Sequence, residues 1–260
     1  VNTNKFLVEF HGEFGVVDES GSWKSYPRKG DLYLLDDNSY LVSSYYGSMI
    51  MDYFGNEIYS HDDYLHPLSG NFIIEDHLHK LGMINAFFQS VLPTNNELIR
   101  ELVRDSVYLF KNEKGWGAVT TSGDILFDQD ERFQEVLGNR ESFIGVKING
   151  EYGFVDFLGR LRIANRYEGA GLYHRGLANV KLLGKWGCID KKENIIIQPY
   201  YDHIEPFMEP LAIAVRDGKS GIIDRKGKTR VPFEYDQIVR LSHGGFICEL
   251  DGRSGLINEE

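Results

Sequence analysis

The residues of this chain best suited to chemistry are imidazoles and carboxylates crowded between His61 and His79. His77-x-His79 reads as two imidazoles on one face of a strand, with Asp76 beside them and His61, Asp62, Asp63 and His66 a short way upstream. A zinc centre would need three or four such ligands converging tetrahedrally. No metal-ligand spacing is present and solvated loop residues account for the cluster, so no metal and no cofactor are expected. The second feature is a set of acidic pairs: Asp36-Asp37 and Asp62-Asp63 alternate with Tyr33, Tyr40, Tyr45, Tyr46, Tyr53, Tyr59 and Tyr64. Aromatic anchors rimmed by carboxylates make suitable hot-spot chemistry for a basic protein surface. The sequence therefore nominates Asp36, Asp37, Tyr45, Tyr46, Asp62, Asp63 and Tyr64 as partner-binding residues. The opposing expectation is that the tyrosines are core and the acids solvated turns.

Other chemistries find no support. Cys188 and Cys248 stand where comparable positions carry apolar residues, so each is expected to be a small buried hydrophobe rather than a nucleophile or half of a disulfide. There is no Gly-x-Ser-x-Gly elbow and no phosphate-binding Gly-x-x-x-x-Gly-Lys-Ser/Thr loop. No catalytic residues are expected, and the chain is read as a non-enzyme.

Charge narrows the partner. The net charge is −11. Residues 1–130 hold 9 Lys+Arg against 20 Asp+Glu, and residues 131–260 hold 19 against 19, so the whole excess lies in the first half. A nucleic-acid binder needs the opposite sign, whereas a basic protein partner suits it. No apolar run approaches the ~20 residues that span a bilayer, so membrane insertion is not expected. Val1, without a methionine, suggests a trimmed N-terminus, which leaves the compartment open and allows for a removed N-terminal signal; a soluble, cytoplasmic setting is slightly favoured.

The elements that must position these residues are repeats. Taking the residue at the place of Asp in Gly-x-x-Asp as a mark gives Asp18, Asp52, Asn85, Thr120, Asp156, Asp190, Asp224 and Asn258, separated by 34, 33, 35, 36, 34, 34 and 34 residues. A fixed period in this range signals a repeat array. Ten residues before the marks stand Val8, Val42, Glu75, Phe110, Val146, Val180, Ala214 and Cys248, and two further back stand Phe6, Tyr40, Ile73, Tyr108, Ile144, Ala178, Ala212 and Phe246. Glu75 alone among these is polar, so the register holds. Each repeat reads as a strand, a Gly-bearing hairpin turn such as Gly184-Lys185, a second strand that is apolar on both faces, an Asp-x-x-Gly turn, and a third extended segment. The marking Asp is assigned to turn capping, since calcium would need six or more oxygens. Pro199 and Pro232 in the third segment argue for an edge strand or extended turn. Between Thr94 and Asp105, the stripe Leu98, Ile99, Leu102 and Val103 after a capping-box-like Thr94-x-x-Glu97 predicts a short helix near 95–105.

The stretch Gly184-Lys-Trp-Gly-Cys-Ile-Asp190, with Gly227-Lys228, Pro199 and Tyr201-Asp202-x-Ile204, resembles the bacterial WG (KWG) β-repeat. The resemblance is specific over residues 140–260 and extends by spacing across nearly the whole chain. It implies a scaffold for binding, without a common catalytic activity or shared site. The expected fold is all-β: a single domain 1–260 of about eight ~34-residue hairpin-based repeats, as an open curved stack or alternatively a closed propeller-like ring. Residues 1–130 form its divergent acidic repeats and residues 131–260 its regular ones. The expected function is protein–protein interaction with a basic partner through the acidic half, an antitoxin-like immunity protein being one form. The alternative is an envelope or extracellular carbohydrate- or surface-binding protein.

Overall fold

Period-two alternation and turn residues at fixed offsets dictate short antiparallel strands, and these are what form. The structure, a computed structural model, describes residues 5–11, 13–23, 28–36, 39–44, 46–52, 54, 56–207, 210–242 and 244–257. Among these the ordered elements are strands in eight antiparallel meanders, each with its strands paired in chain order. The second sheet is Asp31–Leu34, Ser39–Ser44, Gly47–Asp52 and Glu57–His61; the third is Tyr64–Leu68, Asn71–Glu75, Leu81–Ile84 and Ser90–Asn96. The sixth is Gly169–Ala170, Leu177–Leu182, Lys185–Asp190 and Ile195–Tyr201, and the seventh His203–Ile204, Leu211–Arg216, Lys219–Asp224 and Thr229–Tyr235. The chain divides into two compact units, Val1–Asp130 and Glu131–Glu260, with the first four sheets in one and the last four in the other. No helix is long and apolar enough to cross a membrane among the described residues.

The single extended segment expected after each Asp turn is in fact two strands, the last of one sheet and the first of the next. Thus Ile195–Tyr201 closes the sixth sheet and His203–Ile204 opens the seventh. Four strands fit a ~34-residue period because the opening strand can be two residues long and the central hairpin loop is tight. That loop is Leu183-Gly184, one residue earlier than the sequence suggested, with φ of 51° and 77°. Positive φ at both positions is the geometry of a type I′ turn, whose twist matches the flanking strands. The Asp turn behaves as expected: Oδ1 of Asp224 accepts the amides of Lys226 (2.9 Å) and Lys228 (3.0 Å).

The expected helix near 95–105 is absent. Leu98–Val103 is the opening strand of the fourth sheet, paired Leu98↔Lys111 through Arg100↔Leu109, with a register shift between Glu101 and Val103. That bulge breaks two-residue alternation, which is why the apolar spacing imitated a helical stripe. Thr94, expected as a helix cap, lies inside the strand Ser90–Asn96. Asn96 is buried and donates Nδ2 to the carbonyls of Leu81 (2.9 Å) and Pro93 (2.8 Å).

Packing between successive sheets makes the core. One cluster joins Cys188 and Ile197 of the sixth sheet to Ala212, Ala214 and Ile223 of the seventh; another joins Leu41 and Ile50 of the second to Leu65 and Ile74 of the third. Each fully buried aliphatic contributes about 1.5–3 kcal/mol, and the consecutive buried residues of the inner strands show that both faces are covered. Both cysteines are free and buried.

Candidate partner-binding groove

The third sheet departs from its neighbours at its central hairpin. Where the sixth sheet has a two-residue loop, residues 76–80 intervene here between Asn71–Glu75 and Leu81–Ile84. Asp76 organises them, its Oδ1 accepting the amides of Leu78 and Lys80 at 2.8 Å each, and His79 takes φ of 58°. His77 and His79 therefore sit on a loop, not on one face of a strand as the sequence suggested. The extra length also shifts the register: Ile74 pairs with Gly82 and takes the buried apolar place, and Glu75 falls at the surface.

Glu75 lies opposite Tyr64 across the strand pair, and Tyr64 and His66, two residues apart, share its side of the sheet, their rings 4.5 Å apart. Oε2 of Glu75 is 2.8 Å from Nε2 of His66, and Oε1 is 2.6 Å from Nδ1 of His79. Hydrogen bonds from His79 first, then His66, hold the Glu75 carboxyl below its ordinary range. The Tyr64 hydroxyl donates to Asp31 and lies 3.3 Å from the Tyr33 hydroxyl. Burial, and next the Asp31 carboxylate, push its pKa up, so it stays a protonated donor. Upstream, the linker carrying Asp62 and Asp63 is pinned by buried Ser48, whose Oγ donates to the Asp63 carbonyl (2.9 Å) and accepts the Leu65 amide (2.8 Å).

The result is a cavity of about 540 Å3 lined by five acidic residues, Asp31, Asp62, Asp63, Glu75 and Asp76, together with Tyr64 and three histidines. No Lys or Arg is among its described lining residues. Five acidic residues beside an aromatic ring can receive a lysine or arginine side chain by charge-assisted hydrogen bonding and ring contact. No group of three or more His, Cys, Asp or Glu is disposed to hold a metal ion among the described residues.

Of the nominated residues, the structure brings Asp62, Asp63 and Tyr64 together. Tyr46, 92% exposed, lines a neighbouring cavity of about 610 Å3 that shares Asp62. Asp36 lies apart, in the turn between the first two strands of the second sheet, on a groove lined by Leu35, Pro67 and Phe72. Asp37 and Tyr45 fall outside the described residues. Sequence reasoning missed Asp31 and Glu75. For Glu75 a signal existed, since it was the lone polar residue at the apolar register positions.

Stacked four-stranded antiparallel meanders on a ~34-residue period define an all-β repeat protein. Within that class, residues 152–248 are similar to the family described as WG containing repeat, which matches residues 152–186, 186–219 and 221–248 in succession. No curated protein matches the chain by sequence. Among solved structures it is similar to a eukaryotic initiation factor, at 8% identity and TM-score 0.45 over 95% of this chain and 78% of that one. It is similar to Hsv2p of Kluyveromyces lactis, at 10% identity and TM-score 0.39 over 84% and 88%. A third likeness is to BamB of Moraxella catarrhalis, at 9% identity and TM-score 0.35 over 97% and 96%.

Proposed function

We propose that this all-β repeat protein is a non-enzymatic interaction module that binds a basic protein partner through the unit formed by residues 1–130. The observation that carries this reading is the groove at Glu75, where five acidic residues and Tyr64 meet with no lysine or arginine among the described lining residues. Buried Ser48 and the Asp76 turn fix two sides of that groove before any partner arrives, which limits the ordering cost of binding. An antitoxin-like immunity protein, neutralising a basic toxin, is the concrete form this takes. The test is affinity capture on the immobilised chain in parallel with Asp62→Lys/Asp63→Lys. The expected partner is basic, elutes with salt and is lost by the variant; equal retention by the variant removes the groove from the interface.

A second reading, an envelope or extracellular carbohydrate-binding protein, is favoured by one observation. Tyr46 stands exposed on a cavity also lined by Ser44, Ser48 and Ser60, a stacking ring beside hydroxyl groups. Glycan-array binding lost on Tyr46→Ala would support it, and silence across the array would remove it.

A further inference from the structure

Each Asp turn leaves one side chain in solvent. The residue two places after the mark donates its amide to the marking side chain, as Lys192 does to Asp190 (2.8 Å) and Lys226 to Asp224 (2.9 Å), and its own side chain is exposed. Ser20 and Ser122 hold this place after Asp18 and Thr120, and both are exposed. The turn therefore requires nothing apolar there. In the second and third sheets the place is nevertheless taken by phenylalanine. Phe54 and Phe87 make the same amide bonds, to Asp52 (2.8 Å) and Asn85 (2.9 Å), yet are 71% and 81% exposed. Leu158, in the other unit, is the remaining apolar occupant.

The two phenylalanines flank a groove of about 530 Å3, a size at which pockets take ligands. Phe87 stands between Ala86 and Phe88, which line it from the third sheet, and the Asp52 turn that carries Phe54 leads into Ile58, which lines it from the second. Its floor includes buried Ile50 and Phe72, and its rim includes Leu34 and Ile58, 64% and 48% exposed. One wall is fixed in advance, since the Phe88 ring stacks on Tyr59 with centroids 4.3 Å apart and planes 7° from parallel. Exposed apolar side chains gathered at a groove, rather than scattered singly, mark an interaction site.

Charge decides what covers it. Asp36 is the one charged residue among the described lining residues, and residues 1–130 carry 9 Lys+Arg against 20 Asp+Glu. An anionic membrane surface, an acidic protein and a second copy of the same face are all repelled. A segment with cations beside its apolar side chains is attracted.

We infer that this groove docks an amphipathic, basic segment of a partner protein. Its bulky apolar side chains fill the groove and lie against Phe54 and Phe87, and a lysine or arginine sits on Asp36. The apolar anchors supply most of the affinity, and the cation sets orientation. Asn71 and Phe72 of this groove stand at the opposite end of the strand Asn71–Glu75 from Glu75. The site is thus separate from the acidic groove and does not rest on it.

The probe is a fluorescein-labelled peptide in which pairs of leucine alternate with pairs of lysine. It is titrated with the intact chain carrying Asp62→Lys/Asp63→Lys, which takes the acidic groove out of the readout, and followed by fluorescence polarisation. Saturable binding is expected. Adding Phe54→Ser/Phe87→Ser should weaken it at least about tenfold, a change of ~1.4 kcal/mol, and adding Asp36→Asn about threefold. A peptide with serine for leucine, or glutamate for lysine, should not saturate. The fold already carries serine at Ser20 and Ser122, so the double serine variant should keep its thermal midpoint. Absence of saturable binding, indifference to Phe54→Ser/Phe87→Ser, or equal binding of the serine–lysine peptide overturns the proposal. So does retention on phosphatidylcholine vesicles, or a dimer, that the serine variant abolishes, which would put a lipid surface or a second copy on the groove.

Discussion

Nζ of Lys219 lies 2.6 Å from Oδ1 of Asp236, 17 residues further along the chain. The other oxygen of Asp236 accepts the Asp251 amide at 2.9 Å, in the hairpin loop of the next sheet. One carboxylate thus ties the hairpin of its own repeat to the hairpin of the following one. Lys185, Asp202 and the Gly218 amide repeat the arrangement one sheet earlier. This gives the lysine of Gly-Lys-Trp-Gly and the acid of Tyr-Asp a shared purpose: they set the spacing between repeats.

The pairing makes acid sensitivity predictable. Lys219 first, then the Asp251 amide, holds the Asp236 carboxyl below its ordinary value. A depressed carboxyl contributes stability that is full above its unfolded pKa of ~4 and is lost as pH falls through the lower folded value. Lys219→Met should therefore lower the thermal midpoint at pH 7 and flatten its decline between about pH 4 and pH 2. Because both partners are exposed and screened, the effect should shrink at high salt. Parallel acid limbs for variant and wild type would show that the pair is decorative.

The Trp-Gly glycine is a steric requirement. With the Ile197 carbonyl oxygen 2.4 Å from where a Cβ would stand on Gly187, Gly187→Ala must displace the fourth strand. Overpacking of this kind costs about 1–3 kcal/mol. The same change at Gly255, in open space, should lie within about 0.5 kcal/mol of wild type. Urea denaturation of the two variants side by side decides this, and equal losses would refute the roofing role of the fourth strand.

Much of this was legible in the sequence. The marks at Asp156, Asp190 and Asp224 located the turns, and the both-face apolar strand, such as Cys188-Ile189, located the core, because turn chemistry and burial act locally. The fourth strand was legible in part: Pro199 argued for an edge strand or extended turn, and Ile195–Tyr201 is the edge strand of its sheet. Its seven residues oppose fewer on the third strand through register shifts around Cys188, so alternation is broken and its pairing could not be read. At Leu98–Val103 a single bulge was enough to make a strand look helical. The groove was half legible: Asp62, Asp63 and Tyr64 were adjacent in sequence, but Asp31 and Glu75 reach them only through pairing between strands and sheets.

Buried Asn179 and Cys188 give a third test. Asn179 Nδ2 donates to the Ile204 carbonyl of the next sheet at 2.7 Å, and its Oδ1 accepts the Cys188 thiol at 3.2 Å. Asn179→Leu would strand that buried carbonyl, at a cost of about 1–3 kcal/mol. Burial pushes the Cys188 thiol up to about 12, so at pH 8 neither alkylation nor disulfide exchange should touch it until the chain unfolds. Stoichiometric labelling of native protein at Cys188, mapped by mass spectrometry, would contradict the packing described.

The groove itself is best interrogated at Glu75, since His66 and His79 both converge on its carboxylate. Glu75→Gln keeps the shape but removes the charge that holds the two rings. With the carboxyl depressed in the folded state, its contribution to stability is present above the ordinary glutamate value and lost as pH falls through the lower one, so the variant should lose about 1 kcal/mol at neutral pH and little below pH ~3. Binding of the captured basic partner should weaken as well, but less than with Asp62→Lys/Asp63→Lys, where reversal of two charges should cost about 10- to 100-fold. The discriminating measurement is the salt dependence of affinity for all three proteins. A slope unchanged from wild type in the reversal variant would mean that the partner's cations never enter this groove, whatever the loss in affinity.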